Sequence, residues 1–338
     1  MSDPTEQVIK LAQKCVGQIP VVVLGSGASV QYGIGGMGAL KDHLLASIKP
    51  ADANENGAWT LFSAELAKTG DLEMALYNVR LPSALEAQVV SSTRDTVLRD
   101  DLAVFQNLVQ GKVEFALSAL LKYLLRTTHL KIQIVTTNYD RIAEYACDVA
   151  NAAFDTGFRG GYLQAFQPGD DLKFGGKVVE ILKVHGSLDW FIDEHQSVIA
   201  LPDSIKAPKS YSPLLVTPGT GKYFVTHEEP FRTIITRSDA AFASARSALC
   251  VGYGFNDRHI QPKLTNRVLK EKVPIVILAK ALTPRTKEFL NQCKHPNYLA
   301  LEMSGTGSRA FCSEHPAGVD LPEPIWDFGN FVEAVAGK

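Results

Sequence analysis

Residues 20–38, PVVVLGSGASVQYGIGGMG, restrict the fold of this chain more than any other stretch. Pro20 to Leu24 is a short apolar run with three successive valines. It is too short for a helix and has the unbroken apolar character of a parallel strand buried on both faces. Gly25-Ser26-Gly27-Ala28-Ser29 follows at once. Small residues directly after a strand allow a tight turn whose backbone N–H groups can face an anion, and large side chains there would hold a pyrophosphate off the backbone. A plain glycine turn between strand and helix has the same composition, so this stretch alone leaves phosphate binding open. The dinucleotide fingerprint G-x-G-x-x-G is not met, because Val30 stands at the third glycine. No acidic residue about 20 positions on fits the ribose-binding place. A second cluster, Gly33, Gly35, Gly36 and Gly38, predicts a loop that is mobile without ligand.

The pattern of a strand running into an unusual turn recurs. Lys131–Val135 leads into Thr136-Thr137-Asn138-Tyr139-Asp140. Val178–Val184 leads into His185-Gly186-Ser187-Leu188-Asp189-Trp190, and Ala248–Val251 into Gly252-Tyr253-Gly254-Phe255-Asn256-Asp257. Pro274–Leu278 and Tyr298–Leu301 complete the strands, and helices are predicted at 4–17, 38–48, 141–152, 230–245 and 259–271, with a docking helix at 324–335. Alternating strands and helices predict an α/β fold with a doubly wound, parallel Rossmann-like sheet. Ligands of such sheets bind beyond the carboxyl ends of the strands, where these four turns fall. Residues 59–128 differ: glycine is sparse, Leu, Ala, Glu and Lys dominate, and no run resembles a strand. They predict a helical insertion at 59–128 within a single domain, 1–338, whose core comprises 19–48 and 129–338. Segments 50–57 and 155–176 read as loops, and 191–213 as a polar loop or hairpin.

Composition bears on partners. The chain has 34 basic and 36 acidic residues, a net charge of −2, so nothing favours nucleic acid or an anionic membrane surface. No apolar run approaches the roughly 18 residues of a membrane span, and the N-terminus lacks a signal-peptide pattern. The five cysteines are scattered and form no C-x-x-C pair, which argues against a zinc ribbon or a disulfide framework and for a reduced, cytoplasmic protein.

Several residues are candidates for chemistry. His185, at a strand end, suits a general base because imidazole titrates near neutrality; the alternative is a satisfied structural histidine. Asn138 and Asp140 either cap the following helix, or Asn138 holds a water or leaving group while Asp140 fixes the turn or a ribose hydroxyl. Tyr253 and Asn256 are candidates to line a nucleoside pocket. Arg80, Arg94 and Arg99 read more readily as solvated helix charges than as phosphate contacts. Lys222 lies beside two glycines, but the G-x-x-x-x-G-K-[ST] spacing is not met and Tyr223 follows. A serine nucleophile elbow and H-E-x-x-H are both absent, which favours a metal-independent reaction.

As a set, these turns resemble the sirtuin superfamily. The sirtuin loop G-A-G-x-S-x-x-x-G-I-P-x-F-R is similar to Gly25 through Gly38, T-Q-N-[IV]-D to Thr136 through Asp140, the histidine–glycine pair to His185-Gly186, and the G-[TS]-S segment, loosely, to Gly252-Tyr253-Gly254. The paired cysteines of the sirtuin zinc module are missing, P-x-F-R becomes Gly35-Gly36-Met37-Gly38, and Thr137 replaces the glutamine. The longer forms V-T-T-N-Y-D, K-V-H-G-S-L-D-W and V-G-Y-G-F-N-D-x-H-I resemble sirtuin-like effectors of bacterial anti-phage defence. That resemblance implies NAD as substrate, cleaved to nicotinamide and ADP-ribose without a metal, and control by homo-oligomerisation or by a partner defence protein such as an ATPase or a nucleotide-sensing protein. It implies Asn138, His185 and Asp140 as catalytic residues. It places NAD on Gly25, Ser26, Gly27, Ala28, Ser29, Thr137, Gly252, Tyr253 and Asn256. A deacylase or ADP-ribosyltransferase, and a non-catalytic NAD- or ADP-ribose-binding regulator, stay open as alternatives.

Overall fold

Val21–Leu24 forms β1, and all four of its side chains are buried. Its alternation explains how both faces are covered. Val22 and Leu24 join one core cluster, whereas Val21 and Val23 join another on the opposite face. The structure, a computed structural model, describes residues 3–69, 72–169, 176–202, 207–208, 210–216, 228–257 and 260–337. Lys222 and His259 lie outside the described residues.

In chain order the elements before the second strand are α1 (Pro4–Val16), β1, α2 (Gly27–Val30), α3 (Met37–Ser47), α4 (Ala53–Thr69), α5 (Leu72–Asn78), α6 (Ser83–Val109) and α7 (Ala116–Leu124). Then come β2 (Lys131–Thr136), α8 (Ile142–Val149), β3 (Ala153–Asp155), β4 (Phe158–Gly160), β5 (Gln164–Phe166), β6 (Val178–Lys183), β7 (Gly186–Ile192), β8 (Val198–Ala200) and β9 (Ser212–Leu215). The rest are α9 (Phe231–Ser244), β10 (Ala248–Val251), α10 (Gln261–Glu271), β11 (Ile275–Leu278), α11 (Pro284–Gln292), β12 (Tyr298–Ser304), β13 (Gly307–Cys312), β14 (Val319–Leu321) and α12 (Phe328–Ala336).

The main sheet has the order β14-β13-β12-β11-β10-β1-β2-β6-β3. It is parallel from β12 to β3, with Val22 opposite both Leu249 and Ile134. Helices α1, α7, α8 and α12 cover one face and α9, α10 and α11 the other. Doubly wound burial is thus met in the centre, but the sheet is mixed. β13 and β14 add antiparallel at the β12 edge. A second, five-stranded antiparallel sheet has the order β4-β5-β8-β7-β9; β4 and β5 fall in the 155–176 segment expected to be a loop, whereas β7 and β8 pair as the hairpin left open for 191–213. Its strands β4 and β5 are three residues each, too short to show a period in the sequence.

The 50–57 segment is also corrected, because α4 begins at Ala53. Asp52 Oδ1 accepts from the Glu55 N–H at 2.8 Å, and Glu55 Oε2 accepts from the Ala51 N–H at 2.7 Å. This reciprocal pair closes the first turn as a capping box does. Between β1 and β2, helices α3 to α6 build their own cluster around Leu44, Phe62, Leu66 and Leu85. Helix α7 instead packs its Leu117, Leu120, Leu121 and Leu124 into the sheet cluster. Among the described residues, no helix is long and apolar enough to cross a membrane.

Candidate functional site

The turns after β1 and β10 touch so closely that only glycine fits. A Cβ on Gly25 would lie 2.4 Å from the Gly252 carbonyl oxygen, and one on Gly252 would lie 2.2 Å from the Ala28 nitrogen. Gly252 also has φ +59°, which disfavours any other residue. The contact has a consequence for anion binding. The N–H groups of Gly25 and Gly27 donate to Val251 O and Gly252 O, and those of Ala28 and Ser29 donate to Gly25 O and Ser26 O. Of the N–H groups from Gly25 to Ser29, that of Ser26 alone has no acceptor among the described residues. The glycines of this turn therefore serve close packing of two loops, and the ring of free N–H donors expected from the sequence is not formed.

Asn138 lies on the turn after β2 and is bound to the glycine turn. Its Nδ2 donates to Gly25 O and to Ser29 Oγ, both at 3.0 Å. A carbonyl oxygen only accepts, so the amide nitrogen must face Gly25. Oδ1 is left for a ligand or water, since no described residue donates to it. The neighbouring Asp140 carboxylate accepts from the Ile142 N–H at 3.2 Å and opens α8. Burial pushes the Asp140 carboxyl above its ordinary range, while the charge of Lys183 and the Ser29 hydroxyl oppose that rise.

Lys183 is the anchor beneath this turn. Its side chain is fully buried, and Nζ donates to Asp140 O at 2.5 Å, Tyr139 O at 3.3 Å and Glu144 Oε1 at 2.9 Å. From the other side, Asp101 of α6 accepts from the Arg141 N–H at 2.8 Å, from its guanidinium, and from the Tyr145 hydroxyl at 2.6 Å. A buried lysine and a buried aspartate thus hold the Asn138–Arg141 backbone between β6 and α6.

His185 follows β6, with its Nε2 2.7 Å from Oδ2 of Asp257. The oxygen stands off the ring N–H direction, so the two atoms lie close together without forming a straight hydrogen bond. Asp257 is 5% exposed, and its Oδ1 accepts from the Ile260 N–H at 3.3 Å, just before α10. Gly186, at φ +90°, lets the chain turn from β6 into β7, where a Cβ would meet Leu214 O at 2.2 Å.

These groups share one cavity of about 440 Å³ at the carboxyl ends of β6, β2, β1, β10 and β11. Gly25, Ser26, Gly27, Ser29, Thr137, Asn138, Asp140, His185, Gly252, Tyr253 and Asn256 all line it. Ala28 does not; it is buried against the sheet. The sequence reasoning missed Asp257, Lys280 and Thr283, and it read the stretch from Ile34 to Met37, which forms a wall of the cavity, only as a loop beside the first turn. Asp257 was visible as the acidic end of a glycine-rich turn, but nothing in the sequence pairs it with His185. The three arginines lie off the cavity. Arg94 donates to Leu188 O and lies over the Phe191 ring, Arg99 pairs with Asp100, and Arg80 is exposed. Asp100 also accepts from the Gly35 N–H at 3.2 Å, which ties the second glycine cluster to α6. No group of three or more His, Cys, Asp or Glu among the described residues is placed to hold a metal ion.

The SIR2-like domain family matches residues 132–293, a segment that holds Asn138, His185 and Asp257. Comparison with the curated proteins gives no match. Among solved structures, a Sir2 homolog–NAD complex aligns with a TM-score of 0.42 at 16% identity, over 88% of this chain and 89% of that one. A mutant Sir2 homologue in complex with ADP-ribose aligns with a TM-score of 0.43 at 15% identity, over 84% and 88%. A Sir2 protein bound to a propionylated peptide aligns with a TM-score of 0.43 at 12% identity, over 83% and 89%. Residues 132–293 of this chain are thus similar to the SIR2-like domain family, and Asn138, His185 and Asp257 within them line the cavity.

Proposed function

We propose that this chain is an NAD hydrolase that cleaves the nicotinamide–ribose bond to give nicotinamide and ADP-ribose. One observation carries the reading: a single cavity joins His185 and Asn138 to the Gly25–Ser29 turn across five neighbouring strand ends. Parallel strands about 4.8 Å apart make this row about 19 Å long, the scale of an extended dinucleotide. The cavity volume is also within the range of ligand sites, about 300–1,000 Å³.

The chemistry follows from the residues. Nicotinamide leaves as a neutral molecule from a cationic ring, so the barrier lies in forming an oxocarbenium-like ribose. Asn138, with its amide nitrogen held by Gly25 and Ser29, presents Oδ1 to the nicotinamide amide or to the water. Water supplies the oxygen to ribose C1′, and His185 accepts the proton it sheds. Asp140 fixes the turn that carries Asn138. The Gly25–Ser29 turn receives the pyrophosphate, with the free Ser26 N–H as its donor.

The longer strand-end motifs, similar to those of anti-phage effectors, support a role in depleting NAD during infection under control of a partner or of oligomerisation. Purified protein incubated with NAD, alone and with its partner, is expected to release nicotinamide and ADP-ribose in equal amounts. His185→Ala and Asn138→Ala are each expected to lower the rate at least about 10²-fold. Undiminished release in both variants would sink the assignment. An ADP-ribosylated or deacylated protein among the products would instead favour transfer or deacylation.

A further inference from the structure

We infer that Asp257 is a positioning residue that fixes the proton of neutral His185 on Nε2, making Nδ1 the atom that accepts a proton in the cavity. The inference deepens the proposed role of His185 and rests on it only for its kinetic consequence.

For the neutral ring the geometry favours one tautomer. Oδ2 of Asp257 is 2.7 Å from Nε2. A carboxylate oxygen and a bare imidazole lone pair repel at that separation, so Nε2 carries the hydrogen in the neutral ring even though the oxygen stands off the N–H line. Nε2 is sealed from solvent, whereas Nδ1 is not among the buried side-chain atoms lacking a partner. No described residue bonds Nδ1, and His185 lines the cavity. The open nitrogen is therefore the one with the lone pair. Asp257 is itself held from both ends. Its Oδ1 accepts from the Ile260 N–H, its carbonyl accepts from the Gln261 N–H, and its side chain is buried. The start of α10 thus sets the carboxylate, and the carboxylate sets the ring.

The logic is that of the carboxylate behind the histidine of a catalytic triad, where exchanging acid for amide leaves the geometry but produces the wrong tautomer. Asp257→Asn is the informative variant because its Oδ1 still accepts from the Ile260 N–H. Its amide nitrogen then faces His185 and brings N–H hydrogens rather than a carboxylate oxygen against Nε2, which favours a bare Nε2 and moves the ring proton to Nδ1.

The first measurement is the long-range ¹H–¹⁵N NMR spectrum of ¹⁵N-histidine-labelled full-length protein without ligand, with the His185 signal assigned by its loss in His185→Gln. The wild type is expected to show the Nε2–H tautomer and Asp257→Asn the Nδ1–H tautomer. The second is NAD hydrolysis, where Asp257→Asn is expected to lower kcat about 10²–10⁴-fold with KM changed less than about threefold. An Nδ1–H tautomer in the wild type overturns the inference, as does an Asp257→Asn protein with unchanged tautomer. A chain that fails to hydrolyse NAD under every condition overturns the proposed function, while the tautomer measurement still decides the place of the proton.

Discussion

Gly252 and Gly33 both have positive φ, +59° and +96°, yet they do different work. A methyl group on Gly33 would meet nothing within 4 Å, whereas one on Gly252 would strike the backbone of Gly27 and Ala28. Gly33→Ala is therefore expected to lose about 1–2 kcal/mol, from the backbone conformation alone. Gly252→Ala adds overpacking against rigid backbone and is expected to lose about 2–5 kcal/mol in all. Urea unfolding of the two variants measures the difference. Equal losses would show that the contact between the two turns is not what requires glycine. At this scale the sequence was informative about which turns are unusual and silent about why. The residues after β1 announce a tight turn, but its partner lies in a turn more than half the chain away.

Among the elements, the junction of β2 and α8 depends most on a single side chain. Lys183 of β6 holds its two carbonyls and pairs with Glu144 in α8. Burial raises the carboxyl pKa values of both Asp140 and Glu144, and the Lys183 charge is the main influence opposing that rise. Lys183→Met removes the cation and its donors, and breaking a buried pair of this kind costs about 3–5 kcal/mol near neutral pH. The pH dependence has a definite sign. Without the cation both folded-state values rise further above their unfolded values. Their stabilising contribution is then complete below the unfolded values, near pH 4, and is lost as pH rises through the folded ones. The stability gap between wild type and Lys183→Met is thus expected to be smallest near pH 4 and to widen toward pH 7. Urea titrations at fixed pH values test this, and a gap that narrows with rising pH would refute it. A lysine inside the apolar run VVEILKV reads in the sequence only as an interruption, because its partners come from a turn and a helix that the fold brings over it.

At the scale of the molecule, the helices between β1 and β2 divide in two. Helix α7 is part of the sheet core, while α3, α4, α5 and the first half of α6 bury their apolar faces on one another. Helix α6 reaches the rest of the protein through Asp101 at the start of α8, through Asp100 at Gly35 and through contacts with β7 and β9. A small separate cluster of this kind opens at lower free energy than a central sheet. Hydrogen exchange read by mass spectrometry is expected to deprotect α4 and α5 before β1, β2 and β10. Simultaneous exchange of all of them would show one cooperative unit.

The main sheet was legible because three of its strands are continuous apolar runs of four residues and two more, β2 and β6, are six-residue stretches rich in Val, Ile and Leu, a pattern that survives without any knowledge of neighbours. Strand-end polar residues were legible too, since a polar turn after a buried strand must face the cleft. Of the second sheet only the β7–β8 hairpin was open to reading; the three-residue strands β4 and β5 have no period to detect. Burial around each strand, and the alternation of strands with helices, were decided by local sequence. The pairing of His185 with Asp257, the anchoring of the Asn138 turn by Lys183 and Asp101, and the closing of the glycine turn on Gly252 were decided by tertiary structure. Each joins residues far apart in the chain, and local patterning carries no information about which distant groups will meet.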